Sequence, residues 1–183
     1  MLFDHIKTEE DVGRLKLKIM KDAALRQEIE AIRKGMGYFL RPPVKNTMPT
    51  NAEILVLYKK LIKSGKETLN RATELVLRKN KTKSNSGVAV VSVLTKPYPC
   101  PGNCLYCPTE REMPKSYLSK EPAAARALRN GFDAVRQTET RLRALQANGH
   151  PTDKVEMIII GGTWGAYKQE YRESFVRDLF FAC

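Results

Sequence analysis

Apolar residues recur at helical spacing through the first half of the chain, then gather into strand-like runs near residues 88 and 155. Thr8-Glu9-Glu10-Asp11 has the form of a helix start with early acids. Val12, Leu15, Ile19, Met20, Ala23 and Ile32 follow at helical intervals. They predict one amphipathic helix running to about Lys34 and ended by Gly35 and Gly37. Residues 41–49, with three prolines, read as an extended connection. Thr50-Asn51-Ala52-Glu53 is a capping box, with Glu53 placed to reach back to the cap. The helix it opens carries Ile54, Leu55, Tyr58, Leu61 and Ile62 on one face. A further helix is expected from about Glu67 to Arg78, with Leu69, Ala72, Leu75 and Val76 inward. Residues 79–87 form a polar, basic connector, and there is no internal repeat.

The second half changes period. Val88 to Leu94 reads as a buried strand, and Lys96-Pro97-Tyr98-Pro99-Cys100-Pro101-Gly102-Asn103-Cys104-Leu105-Tyr106-Cys107-Pro108 as the loop after it. Residues 109–120 have no clear period and continue the loop. Pro122 suits a first helical turn, and Ala123 to Asn148 reads as one long helix with Gly131 and Phe132 as candidate interruptions. Gly149 is a stop signal. Val155 to Ile160 is a second buried-type strand, ended by Gly161-Gly162-Thr163, and another helix starts near Lys168. This βαβα order predicts a parallel sheet. The cysteine loop and the glycine loop then both lie at the carboxyl end of the sheet, where α/β barrels place their active sites.

Composition narrows the class. Of 183 residues, 28% are charged and 42% apolar, which reads as a soluble globular chain with no membrane association. The first six residues have neither a basic region nor a long apolar stretch, so no signal peptide is visible. Clustered cysteines without an export signal favour metal over disulfides, a reducing compartment and a cytoplasmic location. The net charge is +12, and between Ala31 and Lys83 there are 13 Lys and Arg against 3 Glu. The excess suggests a polyanionic partner, with a solvated basic surface as the plain alternative. Lys59, Lys60, Lys63 and Lys66 are expected along one broad face of the capped helix, with Arg78, Lys79, Lys81 and Lys83 extending the charge.

Three of the four cysteines fall in the spacing C-x3-C-x2-C. A structural zinc site wants four ligands and is closed, whereas a site with an open position does chemistry. Iron–sulfur clusters are held by cysteine thiolates at this kind of spacing. The alternative is a zinc knuckle that borrows His150 or Cys183, although neither has knuckle spacing. The spacing, with Tyr106 just before the last cysteine, resembles the radical S-adenosylmethionine superfamily. That resemblance implies that Cys100, Cys104 and Cys107 hold a 4Fe–4S cluster whose free iron chelates S-adenosylmethionine. It implies that Tyr106 packs near the adenine, and that Gly161, Gly162 and Thr163 form the glycine motif that meets the S-adenosylmethionine amino group. By residue type alone Tyr106 is a loop aromatic and Gly161-Gly162 a tight turn.

A closer resemblance rests on Ser86-Gly87-Val88-Ala89-Val90-Val91, Thr95-Lys96-Pro97, the cysteine loop, Lys115-Ser116-Tyr117, Lys120-Glu121-Pro122, Gly149-His150, Asp153-Lys154-Val155-Glu156 and Gly161-Gly162-Thr163. These stretches look like the catalytic subunit of Elongator and its stand-alone bacterial and archaeal relatives, tRNA uridine acetyltransferases acting at the wobble position. The resemblance implies tRNA and acetyl-CoA as partners, Lys154 as an acetyl-CoA contact, and a 5-carboxymethyluridine product. Lys154 on its own reads as an exposed lysine before a strand, at the end of the sheet opposite the cysteines. Self-association and partner subunits stay open. The expected fold is α/β. Residues 1–83 form a helical, basic, tRNA-binding region, and residues 84–183 the first βα units of an incomplete radical-SAM, partial TIM-type barrel. So few strands cannot close a barrel, and the family's acetyltransferase domain is missing, so the chain reads as an N-terminal part that would not turn over alone. The family's glycine pair after the last cysteine is also missing, since Pro108-Thr109-Glu110 stands there. The competing readings are a zinc-stabilised nucleic-acid-binding module and a radical-SAM enzyme of another specificity.

Overall fold

The structure is a computed structural model and describes residues 2–36 and 47–183. The expected stop at Gly37 and most of the expected connection at 41–49 lie outside the described residues. Two compact units are present. The first comprises Met1–Val88 with Arg143–Asp153, and the second Ala89–Leu142 with Lys154–Cys183.

In the first unit, α1 (Glu9–Lys21) opens on a capping box, with Thr8 and Asp11 satisfying each other's backbone amides. The single helix expected to reach Lys34 is instead broken at Asp22. There the backbone turns extended, and the Asp22 carboxylate accepts from the Leu25 amide at 3.0 Å, starting α2 (Ala23–Met36). An aspartate placed to bind a backbone amide two or three residues ahead favours a new cap over a continued helix. The second capping box forms as expected and opens α3 (Asn51–Lys63). Its Glu53 also meets buried Arg33, with Nε to Oε1 at 3.0 Å, while Arg33 reaches Glu30 at 2.7 Å and the Thr47 carbonyl at 2.9 Å. The next helix, α4, is shorter than expected, running Arg71–Leu77 from an Asn70 cap. Its inward positions are Thr73 and Leu77, while Leu69 precedes the helix and, like Leu75, is exposed. The core gathers Phe3, Leu15, Ile19, Ile54, Leu57 and Tyr58, with the Phe3 and Tyr58 rings 4.7 Å apart. Gly149 completes this unit: it has φ +83, and a Cβ there would lie 2.8 Å from Leu55.

In the second unit, β1 (Ala89–Leu94) and β2 (Val155–Ile160) pair in parallel, Ala89 opposite Val155 and Leu94 opposite Ile160. The connection is a loop, then α5 (Pro122–Arg129) and α6 (Ala134–Ala147). The expected long helix is broken between residues 130 and 133, where Gly131 and Phe132 both have positive φ. The carboxyl end of β1's far edge is capped by side chains. Gln137 accepts from the Leu94 amide and donates to the Leu94 carbonyl, both at 2.9 Å. Arg126 donates to the Ser92 carbonyl at 2.6 Å. Leu94, Met113, Ala124 and Ala127 form the core between sheet and helix. A single 3-10 turn (Trp164–Ala166) follows β2, then α7 (Gln169–Phe181). The α/β class and parallel pairing are as expected. The described residues contain a two-stranded sheet, which is not a barrel. Among them no helix is long and apolar enough to cross a membrane.

Candidate functional site

Parallel pairing brings the loops after β1 and β2 to the same end of the sheet. The root of the cysteine loop is held by hydroxyls. Thr95, 1% exposed, donates its amide to the Ile160 carbonyl at 3.0 Å. The Tyr167 hydroxyl lies 2.8 Å from Thr95 Oγ1 and donates to the Lys96 carbonyl at 2.7 Å. The Lys96 amide donates to the Tyr171 hydroxyl at 3.0 Å, and the Lys96 ammonium lies 4.5 Å from the centre of the Tyr171 ring. Tyr98 packs on Tyr167 at 4.9 Å between ring centres. Burial pushes the Tyr167 hydroxyl above its usual range, so it keeps its proton and donates.

Beyond this root the loop is open to solvent. The Cys100 and Cys104 sulfurs flank Gly102, where a Cβ would lie 3.7 and 3.6 Å from them. Cys100 Sγ is 3.1 Å from Thr163 Oγ1, so the two loops touch through a cysteine and a residue of the glycine motif. That hydroxyl, and after it the Gly102 amide, holds the Cys100 thiol below the usual cysteine range. Cys107 is turned onto the Pro108 carbonyl at 3.7 Å. Two thiols therefore converge while the third points elsewhere, and among the described residues no three His, Cys, Asp or Glu side chains stand close enough to hold a metal ion. The donor set nevertheless fits an iron–sulfur cluster in kind: three soft thiol ligands on an exposed loop, with a side-chain-free glycine between two of them.

The other expected site residues divide. Gly161 approaches Thr95 so closely that a Cβ would stand 1.9 Å from Thr95 Oγ1. Gly162 lies under Lys115. A cavity of about 340 Å³ opens beside both glycines, lined by Ile159, Ile160, Trp164 and Val176. Tyr106 is 92% exposed. Lys154 immediately precedes β2, so a whole strand, about 20 Å, separates it from the cysteine end of the sheet. Residues 109–120 are a loop, as expected, with their own bonds: Glu110 binds the Ser119 amide at 2.7 Å, and Lys115 reaches Thr109 at 2.6 Å. The Thr95–Tyr167–Tyr171 set was not legible from spacing alone. Its one trace is the pair of tyrosines four apart at 167 and 171.

In the first unit, Lys59, Lys60 and Lys63 are exposed on α3, with Lys60 paired to Glu28. Lys66 is not on that helix: α3 ends at Lys63, and Gly65 at φ +71 turns the chain away. Arg78, Lys79 and Lys81 line a cleft of about 540 Å³ together with Lys16 and Asn51, and Lys83 is exposed nearby in the chain. His150 is buried, with Nδ1 2.9 Å from Ser84 Oγ. Cys183 is exposed.

No protein-family model matches the chain. It is 38% identical over 173 residues to a tRNA uridine(34) acetyltransferase of Methanocaldococcus infernus, covering 86% of this chain and 32% of that protein. It is 46% identical over 104 residues to a protein of the same name from Dehalococcoides mccartyi, covering 57% of this chain and 23% of that protein. It is 33% identical over 186 residues to Elongator complex protein 3 of Danio rerio, covering 94% of this chain and 34% of that protein. The chain spans about a quarter to a third of the length of these relatives. At these identities the chain, with its parallel βα arrangement and its C-x3-C-x2-C loop beside a glycine loop, is homologous to a part of the tRNA uridine(34) acetyltransferases and Elongator complex protein 3.

Proposed function

We propose that this chain is a part of a tRNA-modifying acyltransferase that acts on the wobble uridine, and that it carries the radical-SAM half of the reaction. The observation that carries the proposal is the contact between the two loops, Cys100 Sγ on Thr163 Oγ1, in a chain related over most of its length to tRNA uridine(34) acetyltransferases. Cys100, Cys104 and Cys107 hold a 4Fe–4S cluster, with Cys107 turning from the Pro108 carbonyl to join the other two. Bound there, the cluster supplies one-electron reduction of S-adenosylmethionine. Gly161 and Gly162 leave the backbone bare beside the cavity, and Thr163 orients Cys100. Tyr106, free in solvent, is available to cover an adenine ring. The exposed lysines of α3 and the Arg78–Lys83 stretch grip tRNA phosphates, and acetyl-CoA, met by Lys154, provides the group that becomes the 5-carboxymethyl substituent.

Anaerobic reconstitution tests the metal assignment. Iron and sulfide per chain are measured in the native sequence and in four Cys→Ala variants. Cys100→Ala, Cys104→Ala and Cys107→Ala should each lose iron, because an alanine offers no anionic ligand. Cys183→Ala should keep it. Full iron in any of the first three, or its loss in the fourth, overturns the ligand set. Zinc in place of iron and sulfide would return the chain to the nucleic-acid-binding reading.

A further inference from the structure

The root of the cysteine loop is more tightly built than the loop itself. Thr95 and Lys96 leave β1, and Gly161 leaves β2, at adjacent positions. Tyr167, the residue that caps the 3-10 turn, returns to this junction from the second loop. Its hydroxyl accepts from Thr95 Oγ1 at 2.8 Å and donates to the Lys96 carbonyl at 2.7 Å. Both bonds are buried or partly buried, and Tyr167 itself is 4% exposed. Thr95 Oγ1 in turn sits where a side chain on Gly161 would be. One threonine hydroxyl therefore contacts the glycine loop twice, through Gly161 and through Tyr167. Tyr171, one helical turn on, takes the Lys96 amide, and its ring stacks on Tyr167 at 5.1 Å. The Thr95 amide and hydroxyl and the Lys96 amide and carbonyl are thus bonded from β2, the second loop or α7.

We propose that Thr95 and Tyr167 are positioning residues: they latch the cysteine loop to the glycine loop, so that Cys100 and Thr163 are presented to a shared ligand as one unit. The latch rests on the reading of these two loops as one site, but it makes its own demand on the protein before any metal arrives. Without the Tyr167 hydroxyl, the buried Thr95 Oγ1 and the partly buried Lys96 carbonyl lose that partner, and the two loops move independently.

Amide hydrogen exchange on the metal-free 183-residue chain tests it. The reporter on the first loop is the Lys96 amide, bonded to Tyr171. The reporters on the second are the Ala166 and Tyr167 amides, bonded to Thr163 and Trp164. Thr95→Val, a change in the first loop, should speed exchange at Ala166 and Tyr167 by about three- to ten-fold, the range set by removing one neutral hydrogen bond. Tyr167→Phe, a change in the second, should speed Lys96 by a similar factor. Thr95→Ser keeps the hydroxyl and should restore native rates. Amides of the β1–β2 ladder should stay unchanged in all three. Effects confined to the mutated loop overturn the latch, as does a uniform rise that includes the ladder, or a Thr95→Ser variant that behaves like Thr95→Val. Iron content is measured separately, so a chain that binds no cluster but shows the cross-loop effect keeps the latch and removes only the metal assignment.

Discussion

Gly161 has no side chain because Thr95 stands in its place. An added Cβ would lie 1.9 Å from Thr95 Oγ1. Gly161→Ala should therefore lower the urea unfolding midpoint by an amount equivalent to about 1–3 kcal/mol, the usual cost of overpacking. In a Thr95→Ala background the same substitution should cost clearly less. Equal cost in both backgrounds would assign the glycine to something other than Thr95. Glu53 makes a second residue-level case. It caps α3 and neutralises Arg33, which is only 5% exposed. Glu53→Ala leaves that guanidinium with the half-exposed Glu30 and the Thr47 carbonyl, and should cost about 3 kcal/mol or more in unfolding experiments. A destabilisation below about 1 kcal/mol, the worth of a cap alone, would show that Arg33 does not depend on Glu53. The capping role of Glu53 was legible in four letters, Thr-x-x-Glu. Its partner twenty residues upstream was not, because a buried ion pair leaves no local pattern. The same holds at the site: the cysteine spacing announces itself, whereas Thr95 and Tyr167 meet only after the sheet has formed.

Elements were legible where periodicity and caps agreed. Both strands and the start of α3 lie where the pattern put them, within a residue. Errors came where one short polar residue outweighed an apolar period. Asp22 split the first helix, and Asn70 started α4 late enough to leave Leu69 outside it. The α3 correction bears on tRNA. Lys59, Lys60 and Lys63 share a helix end, but Lys66 lies past the turn at Gly65. Changing all four to Gln should flatten the salt dependence of tRNA affinity by roughly 0.7 to 0.9 for each phosphate no longer neutralised. Iron content should not change. A slope identical to that of the native chain would take α3 out of the tRNA path and leave its charge as a solvated face.

At the scale of the whole molecule, the order of elements could be read along the chain, but their division into units could not. Residues 143–153 return to the first unit, where Gly149 meets Leu55 and His150 meets Ser84, pairs brought together from segments 66 or more residues apart. The charge, by contrast, was fully legible. Of the net +12, ten units lie between Ala31 and Lys83, inside the span of the first unit, while the cysteine and glycine loops belong to the second. The basic excess and the cysteine loop thus belong to different compact units.

The closed edge of β1 gives the sheet a direction. Gln137 and Arg126 occupy the carbonyls and amide that a further strand beside β1 would need. β2 faces β1 with its even-numbered residues, as the bonds from Ala89 to Lys154 and from Thr95 to Ile160 show. The amides of Val155, Met157 and Ile159 therefore point the other way, and among the described residues no strand meets them. In the vocabulary of polymer growth, β1 is a terminator and β2 a live end. A further strand beside β1 would have to displace these side chains at its carboxyl end, whereas one beside β2 would meet bare amides on the side of the glycine loop.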